Sequence, residues 1–219
     1  MASTRLPAKV LMDIGGKTLL ERHLERVRRM SLTATTAVAC PDTPDSKPIA
    51  DLCARLGVPC LYGPEQDVLE RYRLAATELS ADIVVRVTSD NPFVDPGLLD
   101  DLARLYAEGN SDYAFIGNSG DDGYPYGLNA EIFSAALLEE VARHASLPDE
   151  REHVMPYVYT RPGQYRLKSL PGGDGREFRL TVDVAADLEL ARKLYTELDK
   201  RQQFDWRDCV GLLRAHPEW

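Results

Sequence analysis

No apolar run in the 219 residues reaches the length of a bilayer-spanning helix, so a membrane-spanning helix is not expected. The opening MASTRLPAKV carries no apolar signal core, which predicts a cytoplasmic chain. Positive charge is in deficit. Lys and Arg number 26 against 35 Asp and Glu, a formal net charge of −9. A diffuse negative balance argues against nucleic acid as the main partner, because phosphate backbones select a positive surface. It leaves a nucleotide site open, since a triphosphate needs only a few local cations and a metal. Cysteine is sparse. Cys40, Cys53, Cys60 and Cys209 match no zinc-ligand spacing, and reduced thiols are the simplest reading, with a Cys53–Cys60 bridge as the alternative. Internal repeats and low-complexity segments are absent.

What is present is ordinary for a globular chain: 44% hydrophobic and 28% charged residues. The length suffices for one α/β domain with a real core. Apolar periodicity alternates between strand and helix. Residues 17–30 put Leu20, Leu24, Val27 and Met30 roughly on one helical face. Residues 33–40 read as a strand, DSKPIADLCARLG as a helix ended by Gly57, PCLYG as a short strand, and 65–79 as an amphipathic helix. DIVVRVT (82–88) is a β-branched run fit for burial on both faces. Pro96 opens a helix through about Glu108 and DYAFIGN (112–118) is a further strand. GNSGDDGYPYG is too polar to pack as core. Residues 135–144 and 149–160 read as helices, YRLKSL and EFRLTVD as strands, and AADLELARKLYTEL and FDWRDCVGLLRAH as closing helices. Crossovers of this length imply a mostly parallel sheet with helices on both faces. No linker divides residues 1–219, so one domain is expected, with 119–177 as an elaboration covering the site.

Ligands of such sheets bind at the carboxyl ends of strands. Three polar clusters fall there. Ser3, Thr4, Arg5 and Lys9 set two cations four residues apart beside hydroxyls, which suits a polyphosphate, although a basic segment that binds nothing is the plainer reading of those residues alone. Asp90 follows a buried strand in a Pro-containing turn and can present an oxygen to Mg²⁺. Asp95, just before Pro96, fits a helix N-cap better. Asp183 also lies between strand and helix, with Asp187 placed to favour the helix N-terminus. The two aspartates can share one metal if their strand ends meet. In REHVMPYVY, His153 beside Arg151 and Glu152 can touch an acidic sugar or phosphate, or can be a solvated charged turn. His23, His144 and His216 are expected on helix surfaces.

The stretch STRLPAKVLMDIGGKTLLERHLERV resembles the opening of cytidylyltransferases of the acylneuraminate and Kdo type, and most of all their spore coat polysaccharide branch. The resemblance continues in order through PEQDVLERYRLAA, DIVVRVTSDNPFVDP, YPYGLNAEIFS, REHVMPYVY and LTVDVAADLELARKLY, nearly the whole chain. It implies a Rossmann-like three-layer nucleotidyltransferase fold, CTP as donor, Mg²⁺, and often a homodimer. By position, Ser3, Arg5 and Lys9 would hold the triphosphate, and Asp90 and Asp183 the Mg²⁺. Arg71 would lie near the nucleotide. Tyr124, Gly127, Asn129 and Glu131 would line the acceptor pocket, flanked by Arg151–His153. An acceptor hydroxyl would attack the α-phosphate of CTP and release pyrophosphate. Several departures qualify this. Met1 falls at the Met that follows the family's first strand, so that strand is absent from this sequence. Ala8 replaces the usual Gly. Ser89 and Asn91 stand where Gly and Cys are commoner, and Tyr126 and Asn129 where that branch usually has Asp. A nucleotide- or sugar-binding homologue without turnover, and transfer to a non-sugar acceptor such as a phosphonate, are the competing readings.

Overall fold

A computed structural model describes residues 6–32, 35–118, 123–161, 163–201 and 203–219. After a 3-10 turn at Lys9–Leu11, helix α1 (Leu19–Val27) starts where sequence and geometry agree. Thr18 Oγ1 accepts from Glu21 N at 3.2 Å and Glu21 Oε2 from Thr18 N at 2.7 Å, which satisfies two otherwise orphaned amides. Strands β1 (Val38–Pro41) and β2 (Cys60–Gly63) flank α2 (Lys47–Leu56), which Gly57 ends in the left-handed conformation at φ 64°. Then come α3 (Val68–Glu78), β3 (Ile83–Arg86), α4 (Pro96–Ala107), β4 (Tyr113–Ile116), β5 (Ala130–Ser134) and α5 (Ala135–His144). The chain closes with α6 (Pro148–His153), α7 (Pro156–Tyr159), β6 (Leu167–Ser169), α8 (Ala185–Leu198) and α9 (Trp206–Ala215). Asp95 caps α4, accepting from Leu98 N at 3.1 Å, as its place before Pro96 suggests.

The strands form two pieces: a parallel pair β1–β2, and a sheet in the order β3-β5-β4-β6 in which β5 runs against the other three. Side chains alternate across the larger sheet. Ala114, Ile116, Ala130 and Ile132 face the core shared with α4, α8 and α9, while Tyr113, Phe133 and Val84 face α3, α5 and α7. The result is a three-layer α/β arrangement with a mostly parallel sheet, as expected. Helix α1 straddles both pieces: Leu20 and Leu24 pack with Cys40, Ile49, Leu52 and Cys53, while Leu19 belongs to the larger core.

Four expectations need correction. DIVVRVT was expected buried on both faces, yet Ile83 is 53% exposed. Among the described residues β3 has a ladder partner on one side only, β5, which leaves its other edge without the neighbour that would bury it. EFRLTVD forms no strand, only an isolated bridge between Tyr126 and Arg179, because its partner is an irregular turn. Residues 119–177 do more than cover a site, since they supply β5 to the middle of the sheet. His23 is buried, not on a helix surface. The four cysteines are free, with Cys40 and Cys60 Sγ atoms 3.3 Å apart, and burial pushes the Cys40 thiol up to about 12.

Candidate active site

Three side chains from distant parts of the sequence meet at the carboxyl end of β3. Lys9 Nζ lies 2.9 Å from Asp90 Oδ2 and 2.7 Å from Asp183 Oδ1. All three are largely buried, with side-chain exposures of 12% for Lys9, 27% for Asp90 and 13% for Asp183. Two carboxylates this close would repel each other at such low exposure, and the ammonium between them removes that penalty. Asp90, just after β3, and Asp183, in the irregular segment before α8, thus lie against the same ammonium.

Each is fixed by its own backbone. The Asp90 carbonyl accepts from Val182 N at 2.9 Å and Thr181 Oγ1 at 3.3 Å, which ties the two loops together. Asn91 Nδ2 donates to Thr88 Oγ1 at 3.0 Å, and the buried phenol of Tyr195 donates to Pro92 O at 2.7 Å. His23 Nδ1 lies 2.9 Å from Asn91 O. A carbonyl only accepts, so Nδ1 carries the proton. Burial lowers the His23 pKa against the upward pull of the Asn91 carbonyl and Asp90. On the other side, Asp187 Oδ2 accepts from Asp183 N at 2.7 Å and Val184 N at 3.0 Å, the helix-end role its spacing suggests. Arg179 pairs with Asp183 and, at 3.4 Å, with Asp187, and its guanidinium lies 5.0 Å from the Tyr126 ring centre. Burial lowers the Arg179 pKa, but Asp187 and Asp183 outweigh it and the net shift is upward. Sequence reasoning missed His23 and Arg179. The i,i+4 spacing of Arg179 and Asp183 was a usable signal, whereas nothing local marks His23.

The remaining candidates are distributed as follows. Ser3 and Arg5 lie outside the described residues. Arg71 donates to Pro64 O at 3.1 Å and Glu65 O at 2.8 Å, and its backbone packs so close to Gly63 that a Cβ there would sit 2.9 Å from Arg71 Cα. Tyr124 is buried edge-on against Trp206, ring centres 5.4 Å apart, with its hydroxyl 3.1 Å from Pro171 O. Gly127 lies against Leu180 and Thr181, and Asn129 Oδ1 accepts from Gly127 N at 3.1 Å. Glu131 pairs with Arg86 and accepts from the Tyr113 hydroxyl at 2.7 Å. Arg151 binds Asp67, the N-cap of α3, and Ala142 O. His153 is exposed, 3.5 Å from Asp149.

The carboxylates suit a hard divalent cation. Among the described residues no three His, Cys, Asp or Glu side chains gather to hold a metal unaided. Mg²⁺ asks less than that: one or two carboxylates, completed by phosphate oxygens and water. Asp90 and Asp183, already within reach of one cationic nitrogen, fit that donor set. The arrangement offers a divalent cation, with the polyphosphate it accompanies, two carboxylates beyond the end of β3.

Comparison with known proteins points the same way. Over 226 aligned residues the chain is 31% identical to the spore coat polysaccharide biosynthesis protein SpsF of Bacillus subtilis (strain 168), covering 100% of this chain and 92% of that one. A 3-deoxy-manno-octulosonate cytidylyltransferase of Chloroherpeton thalassium is 33% identical over 110 residues, 49% of this chain and 43% of its own. Among solved structures, a cytidylyltransferase from Leptospira borgpetersenii superposes with a TM-score of 0.92 at 28% identity, covering 100% of this chain and 92% of that chain. A CMP:2-keto-3-deoxy-manno-octonic acid synthetase complexed with CTP shares the fold, with a TM-score of 0.68 at 17% identity, over 89% of this chain and 94% of that chain. The family model described as cytidylyltransferase matches residues 1–206. With that match spanning the whole site, from the segment before Lys9 to the helix after Asp183, the chain belongs to the cytidylyltransferase family and is a nucleotidyltransferase enzyme.

Proposed function

We propose that this cytidylyltransferase moves CMP from CTP to a hydroxyl of a sugar or sugar-acid acceptor and releases pyrophosphate, with Mg²⁺ held by Asp90 and Asp183. The cytoplasm is its proposed place of action, and the synthesis of a surface polysaccharide or glycoconjugate its proposed setting. The observation that carries the reading is the meeting of Lys9, Asp90 and Asp183 at one strand end.

Lys9 serves as the point charge for the triphosphate, together with Arg5. To do so its ammonium exchanges the two aspartates for phosphate oxygens. Asp90 and Asp183, freed of Lys9, would then hold Mg²⁺. Mg²⁺, when bound, supplies neutralisation of charge on the phosphates. Arg179 pairs with the Asp183 carboxylate, while His23 and Asp187 hold the two backbone segments in register. The chemistry asks the protein for positioning and charge, with no covalent step on its own side chains.

The test is pyrophosphate release from each of the four nucleoside triphosphates across a panel of acceptors. CTP is expected to be preferred, with activity lost on EDTA treatment and restored by Mg²⁺. Asp90→Ala is expected to lower kcat/KM by about a hundredfold or more, with its melting temperature measured alongside. If CTP is neither bound nor consumed under any of these conditions, the proposal is wrong. Calorimetric binding of CTP without turnover would mark a non-catalytic homologue.

A further inference from the structure

We infer that a cavity behind the Asp90 segment binds a small oxyanion of the phosphate class, and that an occupant there stiffens the backbone that follows Asp90.

The cavity, about 140 Å³, lies between α1 and the C-terminal end of α8, with Arg22, Arg26, Arg29, Tyr195 and Phe204 in its wall. Small-molecule pockets run to about 300–1,000 Å³, so a nucleotide or a sugar nucleotide is too large, while one ion with a few oxygens fits. Lys17 and Arg201 complete the lining, so the cavity gathers cations in a chain of net charge −9. Several of these charges are already spent. Lys17 pairs with Glu25 and Arg201 with Asp208. Arg22 is closed onto Asp199 through both Nη atoms and also donates to Ile14 O and Gly15 O. What remains open to a ligand is Arg29 and one edge of Arg26.

Arg29 is exposed and pairs with no carboxylate among the described residues. Arg26 is only 2% exposed. Its Nε donates to Val94 O at 2.6 Å. Its Nη1 and Nη2 reach only the one carbonyl of Phe204, each at 3.4 Å. Asp95 Oδ2 supplies a counter-charge 3.7 Å from Nη2 but no hydrogen bond, since it accepts from Trp206 N at 2.9 Å. Each Nη carries two hydrogens, so a buried cation keeps donors without an acceptor among the described residues. An anion's oxygen is the strongest partner for such a donor. Stacking fixes the guanidiniums in place. The Phe204 ring centre lies 3.9 Å from Arg26 Cζ, the Tyr195 ring centre 4.2 Å from Arg22 Cζ, and the two rings meet edge to face at 5.8 Å.

The same wall holds the Asp90 segment from behind. Tyr195 donates to Pro92 O at 2.7 Å, and Arg26 Nε holds Val94 O. An oxyanion that completes the Nη edge of Arg26 fixes its guanidinium and, through Nε, the carbonyl of Val94.

The experiment titrates inorganic phosphate, and separately glycerol 1-phosphate, by calorimetry and amide NMR, with chloride at matched ionic strength as control. Phosphate is expected to shift the amides of Arg29, Tyr195 and Phe204, in the wild type and equally in Lys9→Ala, which lacks the cation of the catalytic site. Arg29→Glu is expected to weaken that binding by about tenfold or more. Arg29→Ala, which serves if the reversed charge prevents folding, should weaken it by about threefold. Exchange of the Val94 amide, which donates to Asn91 O at 3.3 Å, is expected to slow with phosphate in the wild type and not in Arg29→Glu. Shifts at Lys9 alone, an equal response to chloride, or unchanged binding in the Arg29 variants overturns the site. Binding without slower exchange at Val94 overturns the stiffening. Tighter binding of the ester assigns the cavity to a phosphomonoester, and tighter binding of inorganic phosphate to the free ion. CTP takes no part in these titrations, so failure of the cytidylyl-transfer reading would show separately.

Discussion

Ala8 carries a side chain where the backbone favours none. It sits at φ 56°, ψ 20°, in the left-handed region, immediately before Lys9, and its carbonyl accepts from Leu11 N at 2.9 Å to start the 3-10 turn. An L-residue pays about 1–2 kcal/mol for that conformation, and the greater unfolded freedom of glycine returns part of any relief. Ala8→Gly is thus expected to stabilise the chain by about 0.5–1 kcal/mol, read as a rise in the urea midpoint at constant m-value. A fall in midpoint would mean that the methyl group is not strained. His23 acts on the same site from below. Its folded pKa lies under the ordinary 6.5, chiefly through burial. The unfolded chain therefore binds the extra proton first, and stability from the neutral ring is complete above 6.5 and declines as pH falls below it, down to the folded pKa. The depressed carboxyls of Glu70 and Glu150 act lower, below their ordinary 4.5. Calorimetry between pH 7 and 5 should show a falling melting temperature in the wild type and a flatter profile in His23→Gln. Parallel profiles would exclude His23 as the source.

Between elements, the tightest constraint is Gly127. Its φ is +108°, and an added Cβ would lie 2.6 Å from Thr181 N and 2.7 Å from Leu180 C, both backbone atoms that cannot rotate away. That close approach lets Leu180 N donate to Tyr126 O at 2.6 Å and sets the path of residues 178–183 toward Asp183. Gly127→Ala is expected to cost about 2 kcal/mol or more and, by moving Asp183 off Lys9, to reduce kcat/KM well beyond any loss of folded protein. Retention of full specific activity would show that Asp183 does not depend on this contact. The helices were legible because their boundaries carry their own chemistry: Thr18 with Glu21, Asp95 before Pro96, Gly57 after α2. Strand β5 was not. Its five residues, AEIFS, run straight into α5, so the apolar pattern reads as helix from Ala135 with no turn between. Missing β5 concealed the Arg86–Glu131 pair, which exists only through cross-strand register. EFRLTVD misled in the opposite sense, because alternation marks an extended chain but cannot supply a partner strand. Asp90 was legible as an acid at a strand end, and Asp183 as an acid before a helix, although the strand expected ahead of it does not form. The family resemblance implied that the two share a metal; their direct pairing with Lys9 was not foreseen, since long-range convergence has no local signature.

At the scale of the whole molecule, helices and cores hold together what the strand ladders do not. Among the described residues no ladder joins β1–β2 to the larger sheet. The smaller unit has its own core of Leu20, Leu24, Cys40, Ile49, Leu52, Cys53 and Val58, much smaller than the cluster around β4, β5, α4, α8 and α9. A unit with little buried apolar surface and no shared ladder should open before the rest. Native-state hydrogen exchange is expected to show Ala39 and Leu61, paired in the β1–β2 register, exchanging through an opening of lower free energy than Ala114 and Ile132, paired in β4–β5. Leu52→Ala, at a side chain only 2% exposed, should cost about 2–5 kcal/mol and accelerate exchange in β1 and β2 first. The opening bears on the site because Val10 and Leu11, which follow Lys9, pack against this smaller core. Binding at Lys9 would then draw on the closed state, and saturating CTP should slow exchange in β1 and β2 more than in β4 and β5. If all four amides follow one exchange isotherm, with and without CTP, the two sheet pieces open as a single cooperative unit and Lys9 is held by the whole fold.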